Sequence, residues 1–203
     1  MPVTSTTREA VSEAFSRRES AGRRLAEDSE RITRACRAMA VRFHRGGKLI
    51  VFGNGGAGTD ASHIAVEFMH PVVVGKRALP AMALGNDAAT VSAVGARDGL
   101  AEVFAHQVRH WGAPADMALG VSSDGWCANV LKGLEAAREQ GLFTMALLGG
   151  DGGAIARSAA VDHALIAGSE DPAVVKEIHV TMYHVLWELV HVFHARTRPD
   201  TAR

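Results

Sequence analysis

Five short apolar runs, each followed by a turn-forming stretch or a helical pattern, constrain the fold of this chain more than any other feature. We predict buried strands at 48–52, 81–84, 117–121, 143–148 and 161–166. Strands that alternate with helices form parallel sheets, because each crossover helix packs back onto the sheet. The sequence therefore predicts an α/β fold, in which a doubly wound five-stranded parallel sheet carries helices on both faces.

The segment before the first strand is helical in pattern. Apolar residues recur at spacings of three, four or seven between about residue 8 and residue 45. The stretch Ser-Arg-Arg-Glu-Ser-Ala-Gly at 16–22 predicts a break, and hence an N-terminal helical pair. Such a pair either mediates dimerisation or covers the chain's own sheet, and the residues favour neither alternative.

Asp171-Pro172 predicts the start of a long final helix that ends near Ala195. The chain shows no repeat and no linker between strands, so we expect one domain. Its predicted parts are N-terminal helices at 1–45, an α/β core at 46–195 and a tail at 196–203.

The composition excludes several classes of function. Among 203 residues, 22 Lys and Arg balance 22 Asp and Glu, so no net charge indicates nucleic acid or an acidic membrane surface. Two cysteines, Cys36 and Cys127, are too few for a disulfide framework. The N-terminus lacks the apolar run of a signal peptide, and no segment reaches the roughly 18 apolar residues of a membrane helix. We therefore expect a cytoplasmic protein that binds neither nucleic acid nor membrane.

The stretch 53–60, Gly-Asn-Gly-Gly-Ala-Gly-Thr-Asp, is the strongest local signal for a ligand site. Glycine lets the backbone approach a ligand closely, and the helix that follows presents free N–H groups suited to an anion. The stretch matches neither a Walker loop nor a dinucleotide-binding fingerprint. A tight turn without a ligand is the alternative.

Two helices carry residues that suit acid–base or metal chemistry. His63 and Glu67, spaced i, i+4, share one helix face, where they can hold a divalent metal, exchange protons or form a plain surface pair. The final helix carries Lys176 and His184 on one stripe and His179 on the next. Because these residues lie among apolar neighbours, a site and a set of core histidines are equally compatible with the pattern.

Taken together, these motifs resemble the sugar isomerase (SIS) domain family, and within it the phosphoheptose isomerase branch. The resemblance rests on segments spread over nearly the whole chain. They are Gly53–Gly56, Asp60–His63 with Glu67, the serine-rich stretch at 122, Asp151–Gly153, and Glu177–His179 with His184. The resemblance implies a homotetramer with active sites at subunit interfaces, whose substrate is the sugar phosphate sedoheptulose 7-phosphate.

The resemblance also implies how the site works. Glu67 and His184 would move a proton between C1 and C2 of the sugar through an enediol, and zinc ligands would fall on His63, Glu67, Lys176 and His184. Lys176 departs from the family pattern, since an ammonium cannot bind zinc unless it loses its proton. The other three residues suffice for zinc with an open position, but the nearby ammonium would repel the ion. Zinc is therefore the one candidate cofactor, and we expect no tightly bound ion.

The resemblance implies substrate contacts in the loops, and two basic residues that depart from the family pattern, Arg97 and Lys176, add candidates. Together the candidates are Asn54, Gly55, Gly56, Arg97, Ser122, Ser123, Asp124 and Lys176. Ala57 and Cys127 replace hydroxyl-bearing residues of the family, and Asp124 puts a negative charge where a phosphate is expected. Lys176 adds a positive charge that could pair with Asp124 or Glu67.

We therefore predict a divergent ketose–aldose isomerase of a sugar phosphate, either with a substrate altered from sedoheptulose 7-phosphate or with weak catalysis. Two alternatives keep the same fold: a protein-binding adaptor of the DnaA initiator-associating type, and a carbohydrate-binding sensor without turnover. An exposed Trp126 beside apolar neighbours would favour the adaptor.

Overall fold

The structure, a computed structural model, describes residues 5–196, which form an α/β fold around one parallel sheet. The strands are β1 (Leu49–Gly53), β2 (Ala81–Ala83), β3 (Met117–Ser122), β4 (Phe143–Leu148) and β5 (His163–Ile166). They lie in the order β2-β1-β3-β4-β5, and all four pairings are parallel. The predicted fold class and all five predicted strands are confirmed.

Eight α-helices and one short 3₁₀ helix cover the sheet within the described residues. The helices are α1 (Ser5–Glu27), α2 (Ser29–His44), α3 (Gly56–Met69), α4 (Ala88–Asp98), α5 (Val103–Trp111), α6 (Ala128–Glu139), α7 (Gly153–Arg157) and α8 (Pro172–Arg196), with the 3₁₀ helix at Leu100–Glu102. Over residues 5–196, no helix combines the length and the apolar character that crossing a bilayer requires. Of the predicted tail, all but Arg196 lies outside the described residues.

The break predicted at 16–22 is wrong, because α1 runs through this stretch and ends only before Asp28. The Ser16 and Ser20 hydroxyls donate to carbonyl oxygens of α1 itself, so they do not interrupt the helix. Arg18 donates two hydrogen bonds to the Glu177 carboxylate, at 2.6 and 2.9 Å, and thereby joins α1 to α8. The helical pair is present, with its boundary at Asp28.

Side chains that alternate along the strands divide the core into two layers. Leu49 and Val51 of β1 pack with α2, α3 and α8, whereas Ile50 and Phe52 pack with α5 and α6. Every residue of β1, β3 and β4 is buried, as expected for parallel strands covered on both faces.

The direction of winding reverses between β1 and β3. In the sheet, β2 lies beside one edge of β1, and the chain then returns so that β3 lies beside the opposite edge of β1. In open parallel sheets, such a switch leaves a crevice outside the carboxyl ends of the two strands. Because Gly53 pairs with Val121 in the parallel ladder, the loops after β1 and β3 begin side by side at this crevice.

The loops after β3 and β4 approach each other so closely that they require glycine. A Cβ added at Gly149 would clash with the carbonyl oxygen of Ser123, and one at Gly125 would clash with that of Gly152. Gly125 also has a φ of 76°, which other residues rarely adopt. These contacts hold the Ser123 segment against the loop after β4 at the edge of the crevice.

We expect Gly149→Ala to lower the free energy of unfolding by about 2–3 kcal/mol, because overpacking against backbone atoms leaves little room to relax. Gly22→Ala in α1 is the matched control, since nothing lies within 4 Å of the added methyl group. Alanine in a helix interior is favoured over glycine by roughly 0.5–1 kcal/mol, so this variant should be slightly stabilised. Urea unfolding measures both changes, and an unaltered Gly149→Ala midpoint would contradict the close approach of the two loops.

Candidate active site

Three ionisable side chains from α3 and α8 converge at one point. His63 and Glu67 lie one turn apart on α3, and His184 lies on α8. One ring nitrogen or carboxylate oxygen from each residue lies within 4.8 Å of those of the other two. The structure thus brings the predicted acid/base pair, Glu67 and His184, together with the third predicted metal ligand. We call His63, Glu67 and His184 the trio.

Two residues of α8 hold the α3 half of the trio in place. His63 Nε2 lies 3.2 Å from Glu67 Oε1, and His63 Nδ1 lies 2.8 Å from the Tyr183 hydroxyl. Trp187 Nε1 donates to the backbone carbonyl of Glu67 at 2.8 Å. Burial, helped by the Asp60 and Glu67 charges, raises the pKa of Tyr183 to about 12. The Tyr183 hydroxyl therefore keeps its proton and can either donate to the imidazole or accept from it.

The trio has the composition of a divalent metal site. Two imidazoles and one carboxylate are ligands that zinc accepts, and three protein ligands leave a position open. The Tyr183 hydroxyl engages Nδ1 of His63, so Nε2 is the nitrogen that faces the site. Metal-binding histidines are commonly held in this way through their second nitrogen. The residues present therefore fit a three-ligand metal centre.

Lys176 pairs with the first turn of α3 rather than with Asp124 or Glu67, so the predicted pairing is wrong. Its ammonium donates to Asp60 Oδ1 at 2.5 Å and to the Gly56 carbonyl oxygen at 2.8 Å. The physical reason is its level on α8. Lys176 lies two helical turns before His184, and α3 presents Asp60 at that level, whereas Glu67 lies about 10 Å further along α3.

A cavity of about 320 Å³ opens at the crevice between β1 and β3. Its wall is formed by the loops after these two strands, the start of α3 and the start of α8. Five of the predicted substrate-binding residues belong to it, namely Asn54, Gly56, Ser122, Ser123 and Lys176. Gly55 and Asp124 adjoin the wall in the chain. Arg97 lies elsewhere, on the exposed face of α4, where its guanidinium forms an ion pair with Asp98 at 2.6 Å.

The loop after β3 satisfies several of its own hydrogen-bond donors. Asp124 Oδ1 accepts from the Ser122 hydroxyl at 3.1 Å and from the Trp126 backbone N–H at 2.9 Å. The Ser122 hydroxyl oxygen in turn accepts from the Gly125 N–H at 3.0 Å. The Asp124 carboxylate therefore accepts hydrogen bonds from donors of its own loop that could otherwise bind an anionic ligand.

Trp126 is exposed, with 60% of its surface accessible. Its ring lies 5.5 Å from the guanidinium carbon of Arg157, so a charged side chain rather than an apolar one is its neighbour. Trp126 is therefore exposed, as the protein-binding adaptor would require, but the apolar neighbours that the adaptor would also require are replaced by Arg157.

Two buried residues of the cavity wall, Asp60 and His179, belong to the sequence motifs but were not among the predicted site residues. They are 3% and 2% exposed, and neither Asp60 Oδ2 nor His179 Nε2 has a hydrogen-bond partner among the described residues. Burial lowers the pKa of His179, so its imidazole is neutral. In both cases the sequence signal is a polar residue on an otherwise apolar helix face. Asp60 lies on the helix that follows the glycine-rich loop, and His179 lies on the final helix.

Comparison with known proteins places these features in a family. A family model for the SIS domain matches residues 16–149. The phosphoheptose isomerase of Chlorobaculum tepidum is 44% identical over 179 residues, which cover 85% of this chain and 82% of the relative. That of Solidesulfovibrio magneticus is 38% identical over 164 residues, 81% of this chain and 79% of the relative.

A solved structure of a phosphoheptose isomerase from Francisella tularensis superposes with a TM-score of 0.84 at 29% identity. The superposition covers 91% of this chain and 97% of the other. The family model covers β1 to β4, the crevice and α3, whereas β5 and α8 lie outside its matched range. The chain therefore belongs to the SIS domain family, in its phosphoheptose isomerase branch.

Proposed function

We propose that this protein is a ketose–aldose isomerase of the sugar-phosphate class. The observation that carries the proposal is the convergence of Glu67 and His184, from two helices distant in sequence, within 4.8 Å of each other. A carboxylate and an imidazole at this separation can serve adjacent carbons of one sugar. The names of the relatives support a sugar phosphate related to sedoheptulose 7-phosphate as substrate, and the altered loop after β3 supports a change in which sugar is accepted.

In the proposed reaction, Glu67 takes a proton from C1 of the ketose while His184 gives a proton to the oxygen on C2, and an enediol forms. Glu67 then returns its proton to C2, and His184 takes the proton from the oxygen on C1, which yields the aldose. The sugar keeps its composition, and both residues return to their starting protonation states. Each transfer needs hydrogen-bond reach, and the convergence of Glu67 and His184 within 4.8 Å supports this requirement.

His63, Tyr183 and Trp187 act as positioning residues in this proposal. Tyr183 orients the His63 ring, His63 contacts the Glu67 carboxylate, and Trp187 anchors the helical turn that carries Glu67. A divalent metal, when bound, would supply Lewis-acid polarisation of the sugar oxygens. His63, Glu67 and His184 would hold it.

Glu67→Gln should lower the turnover of whichever sugar phosphate the wild-type protein converts at least about 100-fold, because a positioned acid or base contributes roughly 10²–10⁴-fold to rate. Incorporation of solvent deuterium at C1 and C2 should fall in parallel, since both measure formation of the enediol. Glu135→Gln, an exposed carboxylate on α6, is the matched control and should keep full activity. A folded Glu67→Gln protein with more than about a tenth of wild-type turnover would rule out Glu67 as the base.

Zinc should raise the melting temperature of the purified protein, and dialysis against a chelator should reverse the increase, because three ligands with an open position hold the ion without a fourth side chain. His63→Ala should abolish the increase. His106→Ala is the control, since His106 and His110 also lie i, i+4 on a helix, with ring centroids 4.5 Å apart. A zinc-dependent increase that survives in His63→Ala would place the metal elsewhere.

Exposed apolar side chains support self-association, which we propose produces a homotetramer. Phe15 on α1 is 70% exposed, and Val74, in the segment after α3, is 100% exposed. Val11, one turn before Phe15 on α1, is 52% exposed, and Val72 and Val73 beside Val74 are 76% and 46% exposed. Clusters of exposed apolar side chains, unlike single ones, mark interaction surfaces. Phe15→Glu should shift the wild-type mass in analytical ultracentrifugation to that of a smaller species, and a monomeric wild-type protein would contradict the proposed assembly.

We also propose a reducing, cytoplasmic compartment. Cys36 and Cys127 are both free thiols. Burial raises the pKa of Cys36 to about 12, so this thiol remains protonated and unreactive. The absence of any pairing between the two cysteines supports a location where disulfides are rare.

A further inference from the structure

A second cavity, of about 400 Å³, lies at the amino ends of β4 and β5. Its wall includes Arg42 at the end of α2, Arg138 at the end of α6, and Phe143, Asp162 and His163 at the starts of the two strands. The crevice lies at the opposite edge of the sheet, because parallel strands end together, and a six-residue strand spans about 17 Å. We call this second space the amino-end cavity.

We propose that the amino-end cavity binds a small oxyanion, the carboxylate or the phosphate of a metabolite, with Arg42 as the principal contact. The inference goes beyond the proposed function and does not depend on it, because the wall of this cavity shares no residue with the trio or with the crevice.

The charge of Arg42 is the first observation. Among residues 5–196 its guanidinium has no carboxylate at ion-pair distance, and its hydrogen bond, from Nη1 to the Ala38 carbonyl oxygen, is long at 3.5 Å. Nε is enclosed without a partner, so the terminal nitrogens Nη1 and Nη2 are the ones that a ligand would reach. The side chain is half-buried, and burial lowers its pKa. A partly desolvated charge without a counter-ion is unfavourable, and an anion in the cavity would relieve this cost.

Asp162 does not neutralise Arg42, because its carboxylate is engaged elsewhere. Oδ1 accepts from the Arg138 guanidinium, and Oδ2 accepts from the Thr144 backbone N–H at 3.0 Å and from the Thr144 hydroxyl at 3.2 Å. Asp162 therefore attracts Arg42 only from beyond ion-pair distance. Since Arg138 and Asp162 together carry no net charge, the wall keeps the positive charge of Arg42.

Phe143 holds the Arg42 guanidinium in position at the cavity. The guanidinium carbon Cζ lies 4.4 Å from the centroid of the Phe143 ring. A guanidinium held against an aromatic ring has already lost part of its conformational freedom, so binding an oxyanion through its terminal N–H groups costs less entropy.

His163 places a neutral donor beside this charge. Burial is the main factor that lowers its pKa, Asp162 opposes the shift, and Arg34 and Arg31 of α2 add to it. The ring packs edge-on against Phe143, with centroids 5.5 Å apart, and forms no hydrogen bond with a described residue. A neutral imidazole keeps one N–H that an oxyanion can accept. A bound anion would favour the imidazolium and would therefore raise the pKa of His163.

Histidine side-chain NMR tests the proposal, with sodium phosphate and sodium acetate as probes and sodium chloride at matched ionic strength as the reference. We expect each probe to shift the His163 signals saturably, with a dissociation constant in roughly the millimolar range or below, and to raise the pKa of His163. The affinity for acetate, which stays ionised while histidine titrates, should therefore increase as the pH falls through the pKa of His163.

Arg42→Leu should weaken the binding of both probes at least about tenfold. Arg42→Lys keeps the charge and should bind more tightly than Arg42→Leu, which separates the loss of charge from a defect in folding. Arg37→Leu is the matched control, because Arg37 also lies on α2 over an aromatic ring, 5.2 Å from the centroid of Phe193, but outside the amino-end cavity. It should leave both affinities unchanged.

The absence of a saturable His163 shift with either probe would overturn the inference, as would unchanged affinities in folded Arg42→Leu. A response to only one probe supports the site and identifies the oxyanion that it prefers. The titration detects binding beside His163 rather than turnover, so a protein without isomerase activity that gives the Arg42-dependent shift refutes the proposed function alone. An active isomerase without that shift refutes only the present inference.

Discussion

The packing of α8 against α3 is the interaction on which the candidate site depends. Three polar contacts join the two helices at successive levels: Lys176 to Asp60, Tyr183 to His63, and Trp187 to the backbone of Glu67. Each contact involves a group that is at least partly buried, where a missing partner would be unfavourable. The helices are therefore held in one register, and that register brings His184 to Glu67.

Along the α3–α8 pair, the residues that line the cavity and the residues of the trio lie at different levels. The first turns, with Asp60 and His179, form the wall of the cavity at the crevice between β1 and β3. The trio lies further along both helices. At the 1.5 Å rise per residue of an α-helix, His63 and Glu67 lie about 5 and 10 Å beyond Asp60 on α3, and His184 lies about 8 Å beyond His179 on α8. In the proposed function, a sugar bound in the cavity would extend toward Glu67 and His184.

Much of the fold could be predicted because the relevant signals are local. Short apolar runs between turn-forming residues defined every strand, and their alternation with helices defined a parallel sheet. The helix break predicted at 16–22 is wrong because the helix is stabilised there by a contact that is not local. Arg18 is held by Glu177, more than 150 residues away, and the serines donate hydrogen bonds to carbonyl oxygens of their own helix. A local pattern contains no information about such a contact.

The sequence by itself determined the family, the glycine-rich loop at the switch of the sheet and the residues that carry acid–base chemistry. These depend on residue type and spacing along the chain. Only the tertiary structure decided that Lys176 binds Asp60, that Asp124 neutralises its own loop, and that Asp60 and His179 have unpaired acceptors. Each of these depends on which atoms approach within hydrogen-bond distance, and that is set by the packing of elements far apart in sequence.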